Sequence, residues 1–367
     1  MIRVRQVKVP ILESDKLLSK IASKIRVDKS FIFDFNIIKR SIDARDKSNI
    51  LYVYEVDVSL ANEDKVLKKN KSVDILKSPS LEYKYNITGK DKLLSRPIVV
   101  GSGPCGLFCA YFLAEAGFRP IVLERGEKVE DRVLSVEKFF NSNKLNTSSN
   151  VQFGEGGAGT FSDGKLNTLV KDKFNRGRKV FEIFVENGAP SEIMYDAHPH
   201  IGTDILRNVI RNIREKIISM GGEFRYNSCV TDIYISNGSV TGVQVNNSYD
   251  ISTDIVVLAI GHSARDTFNL LYDKGINMRP KNFAVGVRIE HPRSMIDWNQ
   301  YGKFSKVLGA ASYKLTHTTS SGRGVYSFCM CPGGFVVNAS SEEGRLVVNG
   351  MSNYKRDEKN SNSALVV

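Results

Sequence analysis

Apolar and polar residues alternate along residues 2–9 and again along 50–60, a period of two that predicts half-buried strands. Residues 15–25 space their apolar positions as a helix does, and 31–38 are dense in aromatic and β-branched side chains. This opening block reads as a small α+β module. Between 63 and 92 the pattern breaks into Lys68-Lys69-Asn70-Lys71 and Ser78-Pro79-Ser80, which predicts a linker or an exposed hairpin.

From Arg96 the character changes. A short apolar strand at 98–100, a glycine turn, a helix to Ala116 and a second strand at 121–123 make a βαβ start. Polar, glycine-rich sequence at 141–167 precedes helices expected at 173–187 and 203–220, the second capped by Thr203 or Asp204 and closed by Gly221-Gly222. Turn signals at Asn237-Gly238 and Asn246-Asn247 then mark a β-meander. An apolar strand at 255–260 ends at Gly261, and from Asn282 onward the pattern is mostly strands.

Composition narrows this picture. With 367 residues and 41% apolar content the chain can bury a sizeable core, and disorder is excluded as the main theme. Five cysteines are too few and too scattered for a disulfide framework, and the amino-terminal residues lack the apolar core of a signal peptide, so a cytoplasmic protein is expected. Residues 97–114 hold no charge, yet Gly101, Gly103, Pro104 and Gly106 interrupt them, which argues against a membrane span. Of the net charge of +12, seven lie within 1–92. Such charge permits a nucleic-acid partner for that block or an acidic membrane, but genomic composition alone is the simpler account, and net charge speaks to association rather than fold.

Gly101-Ser102-Gly103-Pro104-Cys105-Gly106 is a G-x-G-x-x-G that follows a strand and opens a helix. The first glycine permits the tight turn, the second lets the backbone approach a pyrophosphate, and the third allows close helix packing. Small Ala110 and Ala114 and the closing Gly117 agree with that reading, and Glu124 ends the second strand where ribose hydroxyls are bound and a 2′-phosphate is repelled. The helix N-terminus adds free N–H groups for the phosphate charge. Cys105 and Cys109 near its start are read as small packing residues.

The motif alone does not say which dinucleotide binds. Gly154-Glu155-Gly156-Gly157-Ala158-Gly159, running on to Ser162 and Lys165, offers backbone to a flat or phosphorylated ligand, and the meander followed by a returning parallel strand completes the order seen in glutathione-reductase-like FAD proteins. The chain resembles the family of uncharacterised FAD-dependent dehydrogenases, also labelled NAD(P)/FAD-dependent oxidoreductases. The matching stretches are Ser41 to Arg45, the fingerprint through Gly126, 153–168, Ala197 to Asp204, Gly261 to Asp266 and Tyr326 to Gly334.

The resemblance implies an α/β fold: a small α+β N-terminal domain (1–92), a Rossmann-like FAD-binding domain with a β-meander (93–275), and an inserted α+β, mostly β, substrate domain (276–367). It implies noncovalent FAD with pyrophosphate at Gly101 to Gly106, ribose at Glu124, adenine near Val230, and flavin-side contacts from Gly156, Gly157, Ser162 and Lys165, with Gly261 nearby. Arg125 and Arg132 are candidates for neutralising phosphate, or are solvated surface arginines. Proteins of this type complete the site with a late Gly-Asp segment; no Gly-Asp dipeptide occurs here, so a truncated product lacking its closing segment is expected.

A flavin transfers hydride itself, so the protein supplies orientation, nearby charge and access. No second G-x-G-x-x-G occurs, so an NAD(P)H donor would bind in the substrate cleft. His262, Lys165, Cys329 and Cys331 are the candidate catalytic residues. His262 suits acid–base work, Lys165 charge on reduced flavin, and Cys329-Met330-Cys331 a redox dithiol, though a structural role is the simpler reading for His262 and the cysteines. His198 and His200 share one side of an extended segment, but without further ligands no metal is expected. Arg288 and Glu290 fall on one face of a strand that suits an acidic or aromatic small-molecule substrate or merely caps a sheet. The rival readings are an RNA-interacting flavoprotein using Lys39, Arg40 and Lys68 to Lys71, and a nonenzymatic FAD-stabilised redox sensor.

Overall fold

A computed structural model describes residues 1–85, 89, 92–167 and 170–367. Part of the expected linker, 86–88 and 90–91, and Thr168 at the end of one matching stretch lie outside the described residues.

The amino-terminal part contains β1 (Ile2–Pro10), α1 (Leu17–Ile25), β2 (Ile32–Asp43), β3 (Leu51–Leu60), α2 (Glu63–Lys69) and β4 (Ile75–Lys77). Its sheet is antiparallel in the order β2-β3-β1-β4. Ile2, Val4, Val7 and Val9 are buried with Ile21 and Ile25 of α1. Their spacing skips a residue between Val4 and Val7, and the strand absorbs it as a register shift at Gln6, whose φ is 55°.

The linker expectation needs correction, because 63–77 hold a helix and the fourth strand. Asn70, inside the lysine run, is buried and donates its side-chain amide to the carbonyls of Ile25 and Val66, closing the C-terminal turns of α1 and α2. Arg40, a candidate phosphate contact, instead pairs with Asp196 at 2.7 and 3.0 Å and lies against Tyr52 and Tyr195, tying this sheet to the rest of the chain.

The central part begins with β5 (Ile98–Val100), α3 (Pro104–Glu115), β6 (Ile121–Leu123), α4 (Val129–Ser142), α5 (Arg176–Glu186), α6 (Thr203–Ser219) and β7 (Glu223–Arg225). The meander β8 (Val230–Ser236), β9 (Ser239–Val245) and β10 (Tyr249–Ser252) follows, turning at Asn237-Gly238 and Asn246-Asn247 as expected, and β11 (Val256–Leu258) returns beside β5. The parallel order is β11-β5-β6-β7. Alternation explains why β5 and β6 are wholly apolar: Val99 and Val122 face α3 and α6, whereas Ile98, Val100, Ile121 and Leu123 face the meander. The fold is therefore α/β, with a Rossmann-like sheet between helices and a β layer.

Two helix starts differ from expectation. The Asp172 carboxylate accepts the N–H groups of Arg176 and Gly177 at 2.9 and 2.8 Å, so α5 begins at Arg176. Neither Thr203 nor Asp204 caps α6; the Thr203 hydroxyl donates to the Thr160 carbonyl and Asp204 accepts from Tyr354 N–H.

After α7 (Arg265–Asp273) come β12 (Gly286–Pro292), α8 (Arg293–Tyr301), β13 (Thr316–Thr318), β14 (Gly324–Cys331), β15 (Phe335–Asn338), β16 (Val348–Met351) and β17 (Asn360–Val366). They form an antiparallel sheet β12-β17-β14-β13 and a β15-β16 hairpin. Among the described residues, no helix is long and apolar enough to cross a membrane.

The buried Arg3 guanidinium holds Asp57 through two 2.8 Å bonds between β1 and β3. Burial opposes ionisation of Asp57, but hydrogen bonds from Arg3 and Ser78 and the charge of Arg3 outweigh it and hold the carboxyl below its ordinary range. A depressed folded-state pKa stabilises above the unfolded value and loses that contribution as pH falls through the folded one. Urea unfolding followed by circular dichroism is expected to show the midpoint falling below about pH 4, with a flatter fall in Asp57→Asn. Asp57→Ala is expected to cost about 3–5 kcal/mol, because the Arg3 charge is left buried.

Candidate functional site

A cleft of about 700 Å³ opens at the carboxyl ends of β5, β6 and β11, the place where open α/β sheets bind ligands. The β5–α3 turn, residues 152–159, the entry to β8 and the segment after β11 wall it. Gly101, Gly103, Pro104, Cys105, Glu124, Arg125, Gly157, Val230, Gly261 and His262 all line it, whereas Ser102, Gly106, Arg132, Gly156, Ser162, Lys165, Cys329 and Cys331 do not.

The turn is built around missing side chains. Gly101 has φ 98°, and a Cβ there would lie 2.5 Å from the Ala259 carbonyl oxygen; one on Gly106 would collide with the Gly101 carbonyl. No side chain caps α3, so its N-terminal end at Gly103 to Cys105 is presented to the cleft uncapped. These features fit a dinucleotide pyrophosphate.

Glu124 is buried at the end of β6. One carboxylate oxygen accepts the N–H and hydroxyl of Ser102, both at 2.8 Å, and the other accepts the N–H of Gly126 at 2.9 Å and of Gly154 at 3.1 Å. Ser102 thus serves the site through Glu124. Arg125 donates to both Asp266 oxygens at 2.9 Å and lies 4.5 Å over the Phe153 ring, so its charge is already paired within the protein.

Arg132, expected at phosphate or solvent, does neither. It is fully buried and donates to the carbonyls of Asn150, Val151, Gly154, Glu155 and Gly157, with its guanidinium 4.8 Å from the Phe161 ring. Burial pulls its pKa down to about 10, which still leaves it charged at neutral pH. Glu155, in the same loop, accepts from Val129 N–H, Arg214 and the Tyr226 hydroxyl. A Cβ on Gly156 would meet Ile210 and Thr160, so that residue faces α6, and the Ser162 hydroxyl donates to the Gly159 carbonyl.

Of the other candidates, His262 reaches only the Ser263 hydroxyl, at 3.4 Å. His200 bonds the Tyr354 carbonyl at 2.8 Å and stacks on that ring, burial holding its pKa below the usual value, while His198 is exposed. Lys165, Cys329 and Cys331 gather elsewhere, with Arg288. Sequence reasoning passed over Gln152, Cys229, Ser263 and Phe268 as cleft residues; they carry no motif and meet only because β8, α7 and the glycine-rich loop converge.

Residues 282–367 match the family described as FAD-dependent protein, C-terminal domain-like, and 99–146 match the NAD(P)-binding Rossmann-like domain. Residues 1–59 match a domain of unknown function. An uncharacterised protein of Clostridium beijerinckii is 47% identical over 370 residues, covering all of this chain and 69% of the relative. The chain belongs to the FAD-dependent oxidoreductases. Solved structures are more distant: Thermovibrio ammonificans THI4 (20% identity, TM-score 0.33, 49% of this chain and 62% of that one) and glycine oxidase from Bacillus cereus (17%, 0.28, 53% and 61%). L-proline dehydrogenase from P. horikoshii is comparable (16%, 0.29, 53% and 59%), so the chain spans about three fifths of these proteins.

In this oxidoreductase Arg132→Met would remove the donor shared by five loop carbonyls, of which those of Gly154 and Glu155 keep a second donor. Urea unfolding is expected to show a loss of about 3 kcal/mol or more, and Arg132→Lys, lacking the guanidinium fork, is expected to recover little of it. An unchanged midpoint for Arg132→Met would contradict the assigned role.

Proposed function

We propose that the chain holds noncovalent FAD along this cleft and passes hydride between a nicotinamide donor and a small-molecule substrate. The reading is supported chiefly by one observation: an uncapped helix N-terminus, a turn that tolerates only glycine and a buried acid converge at the mouth of a parallel sheet. The N–H groups of Gly103 and Cys105, on either side of Pro104, would bind the pyrophosphate, and Glu124 would accept the ribose hydroxyls. The hydroxyl of Ser102 is the one rotatable donor among the four on Glu124, so it can turn aside when ribose arrives. Val230, Leu271 and Phe268 would sandwich adenine, and Gly157 to Gly159 would carry the backbone toward the flavin end.

FAD, when bound, supplies the hydride chemistry. The chain's contribution is to orient it, keep water from its apolar walls and, through the His262 imidazole at the rim, offer a proton donor or acceptor. The acid at position 124 repels a 2′-phosphate, so FAD rather than NADP occupies this cleft and the donor enters by the substrate side.

Titration of the purified chain with FAD, followed by desalting and an absorption spectrum, is expected to leave a stoichiometric flavin band. Glu124→Ala should weaken FAD binding about tenfold to a hundredfold, the loss of hydrogen bonds to a charged acceptor. Anaerobic NADH or NADPH should bleach the band. Absence of any retained flavin after saturation would overturn the reading.

A further inference from the structure

Outside the cleft, β14 ends in Cys329-Met330-Cys331, where its pairing with β17 breaks between Phe328 and Cys331 and Cys329 adopts a φ of 45°. Cys331 is fully buried, and Cys329 in front of it is only partly so. The Cys331 thiol lies 3.5 Å from the Cys329 carbonyl, which also accepts Arg288 Nη1 at 3.3 Å. Lys165 Nζ stands 3.7 Å from Cys331 Sγ and 3.6 Å from Asp163, whose carboxylate is also engaged by Arg356 and Ser352.

A Cβ on Gly350 would sit 2.6 Å from both Cys331 Sγ and Arg288 Nη1, so the missing side chain lets thiol and guanidinium crowd one point. Asn362, wholly buried and paired with Cys331 across the sheet, has an amide nitrogen without a partner, and Arg288 Nε is likewise unpaired. Two unsatisfied donors, Arg288 Nε and the Asn362 amide nitrogen, and the Lys165 ammonium thus stand beside the cysteines. This is the setting of a thiolate rather than of two inert thiols.

We propose that Cys329 and Cys331 form a dithiol that reduces small disulfides bearing carboxylates, with Cys329 attacking and Cys331 resolving. In the first step the Cys329 thiolate forms a bond to one substrate sulfur and expels the other half as a thiolate. The Cys331 sulfur then attacks Cys329 Sγ, closing an intrachain disulfide and releasing the second half, while its proton passes to solvent or to a released thiolate. One dithiol is oxidised and one disulfide reduced, two electrons in all. Lys165 and Arg288 supply the positive charge that attracts the carboxylates. The neighbouring Cys331 thiol and the charges of Lys165 and Arg288 outweigh burial and place the pair's first ionisation below the ordinary thiol range, with Asp163 opposing. The reaction is therefore expected to persist into mildly acid solution. It needs no flavin, so it stands apart from the cleft.

The test uses the full chain, reduced and desalted, in a Cys105→Ser background that removes the exposed thiol. Stopped-flow mixing with dithiobis(nitrobenzoate), an anionic disulfide, is expected to release two equivalents of thiolate in a fast phase. Peptide mapping should then find Cys329 joined to Cys331. Cys331→Ser should release one equivalent and retain a mixed disulfide on Cys329, Cys329→Ser should lose the fast phase, and Lys165→Met should slow it at least several-fold. Cystamine, a cationic disulfide, should react more slowly. A fast phase surviving in Cys329→Ser, or mapping of the product to other cysteines in the otherwise unaltered chain, would overturn the proposal. FAD retention by the chain with Cys105 intact reports the cleft separately, since Cys105 lines it.

Discussion

The structure depends on a constraint set by its glycine-rich loop. Residues 150–163 form little regular structure, yet Asn150, Val151, Glu155, Thr160, Phe161 and Asp163 are almost completely buried. Buried backbone without a ladder leaves polar groups that water cannot reach, and each one left unpaired costs as much as a lost hydrogen bond. Two buried side chains of opposite charge resolve this: Arg132 takes five carbonyls and Glu124 takes N–H groups from the loop and from the turn beside it. The Arg132 charge is not alone, since the carboxylates of Glu124 and Glu155 favour it. The cleft is the space left between the two segments that Arg132 and Glu124 fix.

This arrangement gives Glu124 a structural role at the position where the proposed ribose contact would fall. Its contacts to Ser102 and Gly154 hold the fingerprint turn against the loop, and its place in the cleft wall leaves it within reach of a ligand. Arg132 lies one layer behind, where it shapes the loop without touching what the loop binds. The same loop continues to Asp163 and Lys165, so the cleft and the cysteine cluster are joined by a short stretch of backbone.

Much of the central fold was legible because it is local. The βαβ fingerprint, the meander turns and the apolar run of the returning strand each follow from the pattern of their own stretch of sequence, and alternation within β5 and β6 explains both covered faces of the sheet. What escaped depends on distant partners. Nothing in the lysine run around Asn70 announces that its amide closes two helices, one of them 45 residues away. Arg132 reads as an ordinary helix-surface arginine until the loop after it folds back. Arg40 looks basic and available in sequence, and only the approach of Asp196, 156 residues on, turns it into a tether. The proximity of Lys165 to Cys331 spans 166 residues and has no local signature at all.

Hydrogen–deuterium exchange of the chain with and without saturating FAD tests the central claim most directly, since it reports where ligand and loop meet without presupposing a reaction. The account predicts new protection confined to Gly101 to Gly106, Glu124 to Gly126, residues 153–159 and the entry to β8, with Arg132→Met losing protection in 150–157 even before FAD is added. Protection that appears elsewhere while these segments exchange unchanged would contradict it.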